Sequence, residues 1–258
     1  MPIRRPGAYS GPFHYAGGTL AGPMQGGAPP FVPMVATTLT TGTIDGNGSP
    51  QNGVTASVTP GANRLQLLTL AMNRASSLQP TAPTSVTGCG LTWVLQASIR
   101  GTTGVLNDAL FVYRSMGAAP TSGQITIEMS YTLVSDPASL SWSLIEIAGV
   151  TTTGANGADA IAQSVEGAVT SGTSITATLA AFAKPTNRPA FLIGSTNRST
   201  TLTPTATLVQ VNNSASSAAG YPSRATALFN ADTANLTPTV TAGTSVGHRR
   251  LALEISAA

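Results

Sequence analysis

Past residue 33 the sequence is a succession of short runs rich in Val, Ile, Thr and aromatic residues, separated by Gly, Pro, Asn and Asp. The runs have the length and alternation of β-strands, and the residues between them are typical turn formers. In "QITIEMS", for example, Ile125, Ile127 and Met129 share one face, as in a strand with one wet side. The predicted strands are 64–73, 91–99, 109–116, 124–131, 141–150, 174–180, 190–196, 205–211, 225–231, 237–242 and 249–256.

Helices are nearly absent from this pattern. The best candidate, residues 155–167, is predicted to hold one short turn at most. Many short strands without alternating helices predict an all-β fold, a single antiparallel β-sandwich that is jelly-roll-like. Because no break in composition interrupts the strand-rich region, residues 34–258 are predicted to form one domain.

Two of the predicted strands resemble each other. "SWSLIEIAGV" (141–150) and "HRRLALEISAA" (248–258) both place alternating apolar residues before a Glu-Ile pair. Any strand with one buried face produces such a pattern, and a duplicated half of a sandwich is the alternative. The alternation in the second strand predicts Leu251, Leu253 and Ile255 inward and Arg250 and Glu254 outward.

Residues 1–33 have a different character, with a Gly or Pro every few positions and no apolar period. The continuous apolar stretch of a signal peptide is missing, and Gly and Pro at this density oppose a transit-peptide helix. We therefore predict an extended N-terminal arm, which could reach roughly 100 Å. Its aromatic and basic residues are types that anchor interfaces, although local packing on the arm's own sandwich is an alternative. The predicted partner-binding residues are Arg4, Arg5, Tyr9, Phe13, His14, Tyr15 and Phe31.

Charge is scarce. Asp, Glu, Lys and Arg make up 8% of the chain, against about 25% in an ordinary soluble protein. The net charge of +3 comes from dispersed basic residues, whereas nucleic-acid binding requires a dense patch. Cys89 is the only cysteine, and His14 and His248 lie far apart in the sequence. No metal, cofactor, nucleic acid or membrane is therefore expected as a partner, and the chain is expected to be made in the cytoplasm.

Three motifs could carry chemistry, and each has a simpler interpretation. "GTSVG" (243–247) fits a nucleophile elbow, but a strand rather than a helix follows, His248 is directly adjacent and the only later acid, Glu254, lies on the same strand, so we interpret it as a turn. "DGNGS" (45–49) has a single carboxylate, too few for calcium, and predicts a tight turn.

Glu146 is the third candidate, because Trp142, Leu144 and Glu146 share one face of their strand. A tryptophan beside a carboxylate could stack on a sugar. The preferred interpretation is a partly buried Glu146 paired with Arg100 or Arg114, since buried carboxylates require partners. Both tryptophans, Trp93 and Trp142, are predicted to have core roles.

The succession "NRLQLLTLAM", "SVTGCGLTWVLQAS", "DALFVYRSMGAAPTSGQITIEMS" and "LSWSLIEIAGV" resembles a β-sandwich module of bacteriophage virion proteins and some bacterial surface proteins. The resemblance covers roughly residues 63–150 and the last strand. It implies a non-enzymatic protein of the virion, assembled in the host cytoplasm. The implied function is that of a capsid decoration (cement) protein or a head or neck component.

The partners implied by this resemblance are the major capsid protein or other virion subunits, together with further copies of the chain, by analogy as a trimer. A tail-fibre or receptor-binding carbohydrate-recognition module is the alternative function. An enzyme is a third and weaker hypothesis, because no catalytic constellation survives the inspection of motifs.

Overall fold

The structure is a computed structural model. It describes residues 33–46, 52–74, 80–101, 107–129, 138–195, 200–205, 208–216, 222–230 and 235–258. Residues Val32–Ala258 group into one compact unit. The predicted arm falls almost wholly outside the described residues.

The described part of the chain contains fourteen strands and one short 3-10 helix, Ala155–Ala160, which separates the strands into two sets. The first set is β1 (Val35–Gly46), β2 (Gly53–Val54), β3 (Leu65–Arg74), β4 (Ser85–Gly88), β5 (Val94–Arg100), β6 (Asn107–Ser115), β7 (Ile125–Glu128) and β8 (Ala138–Ala148). The second set is β9 (Ile161–Thr176), β10 (Arg188–Ser195), β11 (Leu202–Pro204), β12 (Val209–Ala215), β13 (Arg224–Phe229) and β14 (Thr239–Ile255).

Two antiparallel sheets form the body of the domain. Sheet A has the order β1-β8-β3-β6-β5. Sheet B runs β14-β10-β13-β12, with β9 on the other side of β14 and the short β11 also paired to β14. The prediction of an all-β, antiparallel sandwich is confirmed.

The two sheets share one strand order. Each sheet has five main strands. Numbered in chain order, they lie side by side as first, last, second, fourth and third in both sheets. This order is β1-β8-β3-β6-β5 in sheet A and β9-β14-β10-β13-β12 in sheet B. A β-bulge falls at the same place in both. The β5–β6 register shifts between Leu95 and Ala97, and the β12–β13 register shifts between Gln210 and Asn212.

A pair of glycines extends this correspondence between the sheets. Gly42 of β1 lies opposite Trp142 of β8, and Gly167 of β9 lies opposite Arg250 of β14. The Trp142 indole and the Arg250 guanidinium occupy the space that a Cβ on the opposite glycine would need. This topology favours a duplicated half of the sandwich as the explanation for the sequence resemblance between β8 and β14.

Sheet A is buried on both of its faces. Toward sheet B, its residues Leu67, Leu110 and Ile147 pack against Leu192 and Leu253. On the opposite face, a small sheet of order β2-β7-β4 covers a second cluster. All ten residues of β3 are consequently buried. The wet side predicted from "QITIEMS" is present in β7, where Glu128 is exposed, whereas β3 has none because a third layer covers its outer face.

The outer face of sheet B carries a third apolar cluster, which includes Phe191, Ile193 and Leu228. Leu179 and Leu208, from segments outside the main strands, contribute to the same cluster. Each sheet therefore has an inner cluster shared with its partner and an outer cluster with its own cover. This arrangement leaves the edges of the sheets, rather than their faces, as the places where backbone can meet another chain.

Residues 155–160 form the expected short turn, but β9 begins directly after it and continues to Thr176, so only the start of the predicted strand 174–180 is extended. The predicted turn at 243–247 is wrong, because "GTSVG" lies inside β14. The β9–β14 register shifts on both sides of Val246, so the strand passes this Gly-containing stretch by bulging rather than by turning.

Candidate functional site

The predicted arm residues, Arg4, Arg5, Tyr9, Phe13, His14, Tyr15 and Phe31, all lie outside the described residues, so their role in binding stays a prediction. The described chain starts at Pro33, and Met34 is already part of the core with 2% of its surface exposed. Met34 packs in the cluster between the two sheets. Any test of the arm must therefore leave this residue in place.

Glu146, the third candidate from the sequence, is buried, and both of its carboxylate oxygens accept hydrogen bonds. Its Oε1 accepts from Arg64 Nη1 at 2.5 Å and from the Thr37 hydroxyl at 3.5 Å. Its Oε2 accepts from Gly61 N at 2.9 Å and from Gln66 Nε2 at 3.3 Å. Glu146 therefore ties together β1, β3, β8 and the turn before β3.

The prediction that Glu146 pairs with Arg100 or Arg114 is wrong. The ion pair is made by Arg64, whereas Arg114 donates to Gln96 Oε1 at 2.9 Å and to the Asn156 carbonyl at 2.8 Å. Arg100 lies over the Phe111 ring, 6.0 Å from its centroid. The error arose because both arginines lie on strands β5 and β6, which sheet order separates from β8 by at least one strand.

Both tryptophans belong to the core, as predicted. Trp142 is 5% exposed, and its ring fills the space above Gly42. Trp93 is half-buried against the same cluster, and its Nε1 donates to the Gly88 carbonyl at 3.4 Å. Trp142 and Glu146 are thus not presented together to a ligand at the described surface.

Glu254 was predicted to face outward and is instead 1% exposed. Its carboxylate accepts from Gln163 Nε2 at 2.6 Å, Asn187 Nδ2 at 2.5 Å and Ala183 N at 2.8 Å. The residues that follow Leu179 cross this face of the sheet and bring Ala183 and Asn187 over it. The simple alternation was misleading because it cannot show that a loop covers the outer face.

Glu146 and Glu254 occupy corresponding positions in the two sheets. Each accepts from a side chain on the first strand of its sheet, which is Thr37 in β1 and Gln163 in β9. Each also accepts from a residue just before the second strand, Arg64 or Asn187, and from a backbone N–H a few residues earlier. The "Glu-Ile" pattern of the sequence therefore marks one repeated structural contact.

A buried ion pair that the sequence analysis does not predict joins the two sheets. Arg249 Nη2 of β14 donates to Asp108 Oδ1 of β6 at 2.5 Å, and the two residues are 1% and 3% exposed. Arg249 Nη1 also donates to the carbonyls of Val169 and His248. Burial raises the pKa of the Asp108 carboxyl to about 6, and the Arg249 guanidinium only partly offsets this rise.

The corresponding place on the other side of the sandwich holds a neutral pair. By the registers of the two sheets, Ser141 of β8 corresponds to Arg249, and Ser223, directly before β13, corresponds to Asp108. The hydroxyls of Ser141 and Ser223 are 2.9 Å apart and buried. The same contact between sheets is thus made once by charged groups and once by hydroxyls. Of the two pairs, only the charged one has residue types that indicate an ion pair in a sequence.

His248, the residue beside "GTSVG", has no nucleophile as a partner. Its side chain is buried, with Nδ1 3.4 Å from the Val246 carbonyl and Nε2 3.2 Å from Arg250 Nη1. Ser245 is exposed and shares a hydrogen bond of 2.6 Å with the Ser171 hydroxyl. Burial, helped by the charge of Arg250, lowers the pKa of His248 to about 4. At neutral pH the imidazole is therefore uncharged and accepts from Arg250.

The remaining sequence candidates show structural roles where they are described. Cys89 sits in a turn with φ 58°, and burial raises the pKa of its thiol. Asp45 and Gly46 end β1, and residues 47–50 lie outside the described part. Within the described ranges, no cluster of three or more His, Cys, Asp or Glu side chains could hold a metal ion. The same ranges contain no helix long and apolar enough to span a bilayer.

Comparison with known proteins gives no relative. No family model matches the chain, and neither a curated protein nor a solved structure shows significant similarity to it. The fold and the internal contacts described above are therefore the basis on which function has to be argued.

Proposed function

We propose that this chain is a structural protein of a bacteriophage particle, a capsid decoration (cement) protein or a head or neck component. In this proposal the β-sandwich is the body of the protein, and the arm of residues 1–33 binds the major capsid protein or other virion subunits. The protein would be assembled in the host cytoplasm and act in the virion.

The observation that carries the proposal is how the charged side chains of the described domain are used. Glu146, Glu254 and Asp108 all accept hydrogen bonds from within the domain, and each contact fastens strands or segments that are distant in the sequence. A carboxylate kept for catalysis would have to face a cleft where a substrate could reach it. The carboxylates of Glu146, Glu254 and Asp108 instead hold the domain together, as suits a protein with a mechanical role.

The resemblance to virion sandwich modules gives the proposal its direction. Two segments of that pattern, "NRL" at the start of β3 and "EIAGV" at the end of β8, contain Arg64 and Glu146, which form an ion pair. The low charge of the chain and the aromatic and arginine residues of residues 1–33 agree with an arm that becomes buried against neighbours.

Deleting the arm tests the proposal. The deletion should end at Val32, so that buried Met34 remains. We expect the truncated protein to keep the thermal unfolding midpoint of the intact chain. Its binding to particles from the phage or prophage that encodes it should fall by roughly ten-fold or more, which corresponds to about 1.4 kcal/mol.

A chain in which Tyr9, Phe13, Tyr15 and Phe31 are replaced by Ser is the matched variant, because it keeps the length and flexibility of the arm. Loss of binding in both variants supports anchoring by these side chains. Undiminished binding by the truncated protein would contradict the proposed role of the arm. Neighbouring genes for capsid, portal and tail proteins would support the virion assignment independently.

A further inference from the structure

One lateral edge of the sandwich is closed by hydrogen bonds between the sheets. There β1 of sheet A faces β12 of sheet B. The Thr38 hydroxyl donates to the Val211 carbonyl at 2.7 Å. Asn212 Nδ2 donates to the Thr40 carbonyl at 3.2 Å, and the Ser214 hydroxyl donates to the Gly42 carbonyl at 2.7 Å. These bonds join the two edge strands along their length.

The opposite edge, where β5 faces β9, lacks these bonds among the described residues. Since the bulges of β5 and β12 coincide, Ala97 and Ile99 hold the places of Asn212 and Ser214. Neither side chain has a donor, and both are buried in the apolar cluster between the sheets. The duplicated architecture therefore has one closed edge and one open edge.

At the open edge, β9 directs backbone groups away from the domain. The Pro189 carbonyl accepts from Asn230 N on the β13 side, so the next residue, Ala190, bonds toward Leu253 of β14. Because backbone N–H and C=O groups alternate in direction along a strand, those of Glu254 and Ala252 point toward β9, where the two residues pair with Gln163 and Val165. The N–H and C=O groups of the intervening residues, Ser164, Glu166 and Ala168, point to the open side.

Strand β9 is neither short nor interrupted by Pro or Lys, features that usually protect an edge. Natural proteins keep edge strands short, or place Pro, Lys or a bulge on them, because free edges pair with other chains. The edge strand β11 has three residues, ending in Pro204, and β5 carries a bulge. Strand β9 also bulges, at Ala162 and at residues 170–171, but it has sixteen residues, no Pro and Glu166 as its single charge, and residues 163–169 pair with β14 in regular register.

We propose that β9 is an interaction surface for a second copy of this chain, in which the two β9 strands pair antiparallel about a two-fold axis and join two copies of sheet B. Antiparallel pairing lets one strand serve both partners. The single charge excludes the register centred on Glu166, which would set two carboxylates opposite each other. Centring the pair on Ala168 places Glu166 opposite Thr170, so no Glu166 faces its own copy, and the paired stretch ends at the bulge of residues 170–171.

This pairing rests on the β-domain alone and holds whether or not the arm binds a virion. It predicts a dimer through β9, in contrast to the trimer that the sequence resemblance implies. Its failure is distinguishable from that of the proposed function, because deletion of the arm is read out as particle binding and the pairing is read out as self-association.

The first experiment measures the mass of the full-length chain in solution by sedimentation over a wide range of concentration. We expect a monomer–dimer equilibrium. Ala168→Lys places like charges opposite each other at the axis and should weaken dimerisation by about ten-fold or more. Ala168→Pro removes an N–H that faces the open side at the centre of the pair and should weaken dimerisation similarly without loss of bonds to β14.

Val209→Lys is the matched control, because Val209 is 65% exposed on β12, at the closed edge of the same sheet. It should leave the dimer intact. A chain that is monomeric at all concentrations would overturn the proposal. So would dimers that survive both β9 substitutions in proteins with an unchanged unfolding midpoint, or dimers that depend on residues 1–32 instead.

Cysteine cross-linking gives the register independently of affinity. In a Cys89→Ser background, Ala168→Cys should form a disulfide-linked dimer on mild oxidation, since residues facing each other across a strand pair are within disulfide reach. A mixture of Glu166→Cys and Thr170→Cys chains should form the mixed dimer faster than either alone. Rapid linkage of Glu166→Cys to itself would contradict the proposed register.

Discussion

Asp108 and Arg249 form a charged contact in a place where the duplicated fold also accepts two serines. The pKa of Asp108 is raised to about 6, which means that the cost of removing the carboxylate from water exceeds the attraction of Arg249. The Ser141–Ser223 pair avoids that cost. The ion pair is thus a weak source of stability, and its value lies in joining β6 and β14 in one geometry.

His248 gives the protein a specific dependence on pH. Its pKa is lowered from 6.5 to about 4 in the folded protein. A lowered pKa of a base contributes stability that is present above about pH 6.5 and is lost as the pH falls through about 4. Relative to His248→Gln, the wild type should therefore lose up to about 3 kcal/mol over this window. Urea unfolding of both proteins at several pH values measures the difference.

Asp108 gives the stability of the protein the opposite dependence on pH. Its pKa is raised from 3.8 to about 6, so its contribution is complete below 3.8 and is lost as the pH rises through about 6. In the wild type the two effects partly cancel. The His248→Gln protein, and His248→Asn as a second variant, should consequently show less acid destabilisation than the wild type. Parallel pH profiles for all three proteins would contradict the assigned shifts.

At the scale of strands, the glycines opposite Trp142 and Arg250 offer a matched comparison. In Gly42→Ala the new Cβ would lie 2.0 Å from the Trp142 ring, which is buried and cannot move away. In Gly167→Ala the new Cβ would lie 2.6 Å from Arg250 Cζ, at the flexible end of a half-buried side chain.

We expect Gly42→Ala to lower the free energy of unfolding by about 1–3 kcal/mol, through overpacking. Gly167→Ala should change it by less than about 1 kcal/mol, since the guanidinium can swing aside and alanine restricts the unfolded chain. Chemical unfolding of the two variants beside the wild type measures both effects. Equal losses would show that the two glycines are not distinguished by the rigidity of their neighbours.

For the whole molecule, the matching strand orders predict that the two halves depend on each other. A cut between Thr152 and Thr153, which are exposed, separates sheet A from sheet B. Each half alone would expose its side of the inner cluster, for example Leu67 and Ile147 in the first half and Leu253 in the second. We expect neither half to fold alone and the two to co-purify when expressed together.

A tag on one half, with circular dichroism of the recovered complex, measures this reconstitution. Leu67→Asp should abolish co-purification, because it places a carboxylate in the inner cluster. The exposed Glu128→Lys, on the small sheet, is the control that should not. A half that is soluble, monomeric and cooperatively folded by itself would contradict the mutual dependence.

The sequence by itself determined the all-β character of the domain and the core roles of both tryptophans, because alternation of side chains and turn residues is local information. The tertiary structure decided which residues meet. Arg64 rather than Arg100 or Arg114 pairs with Glu146, and a loop buries Glu254 on the outer face of its sheet, because strand order and loop paths bring distant residues together. The duplication shows most clearly in strand order, bulges and paired contacts, since a repeated backbone geometry can be held by an ion pair in one half and by two serines in the other.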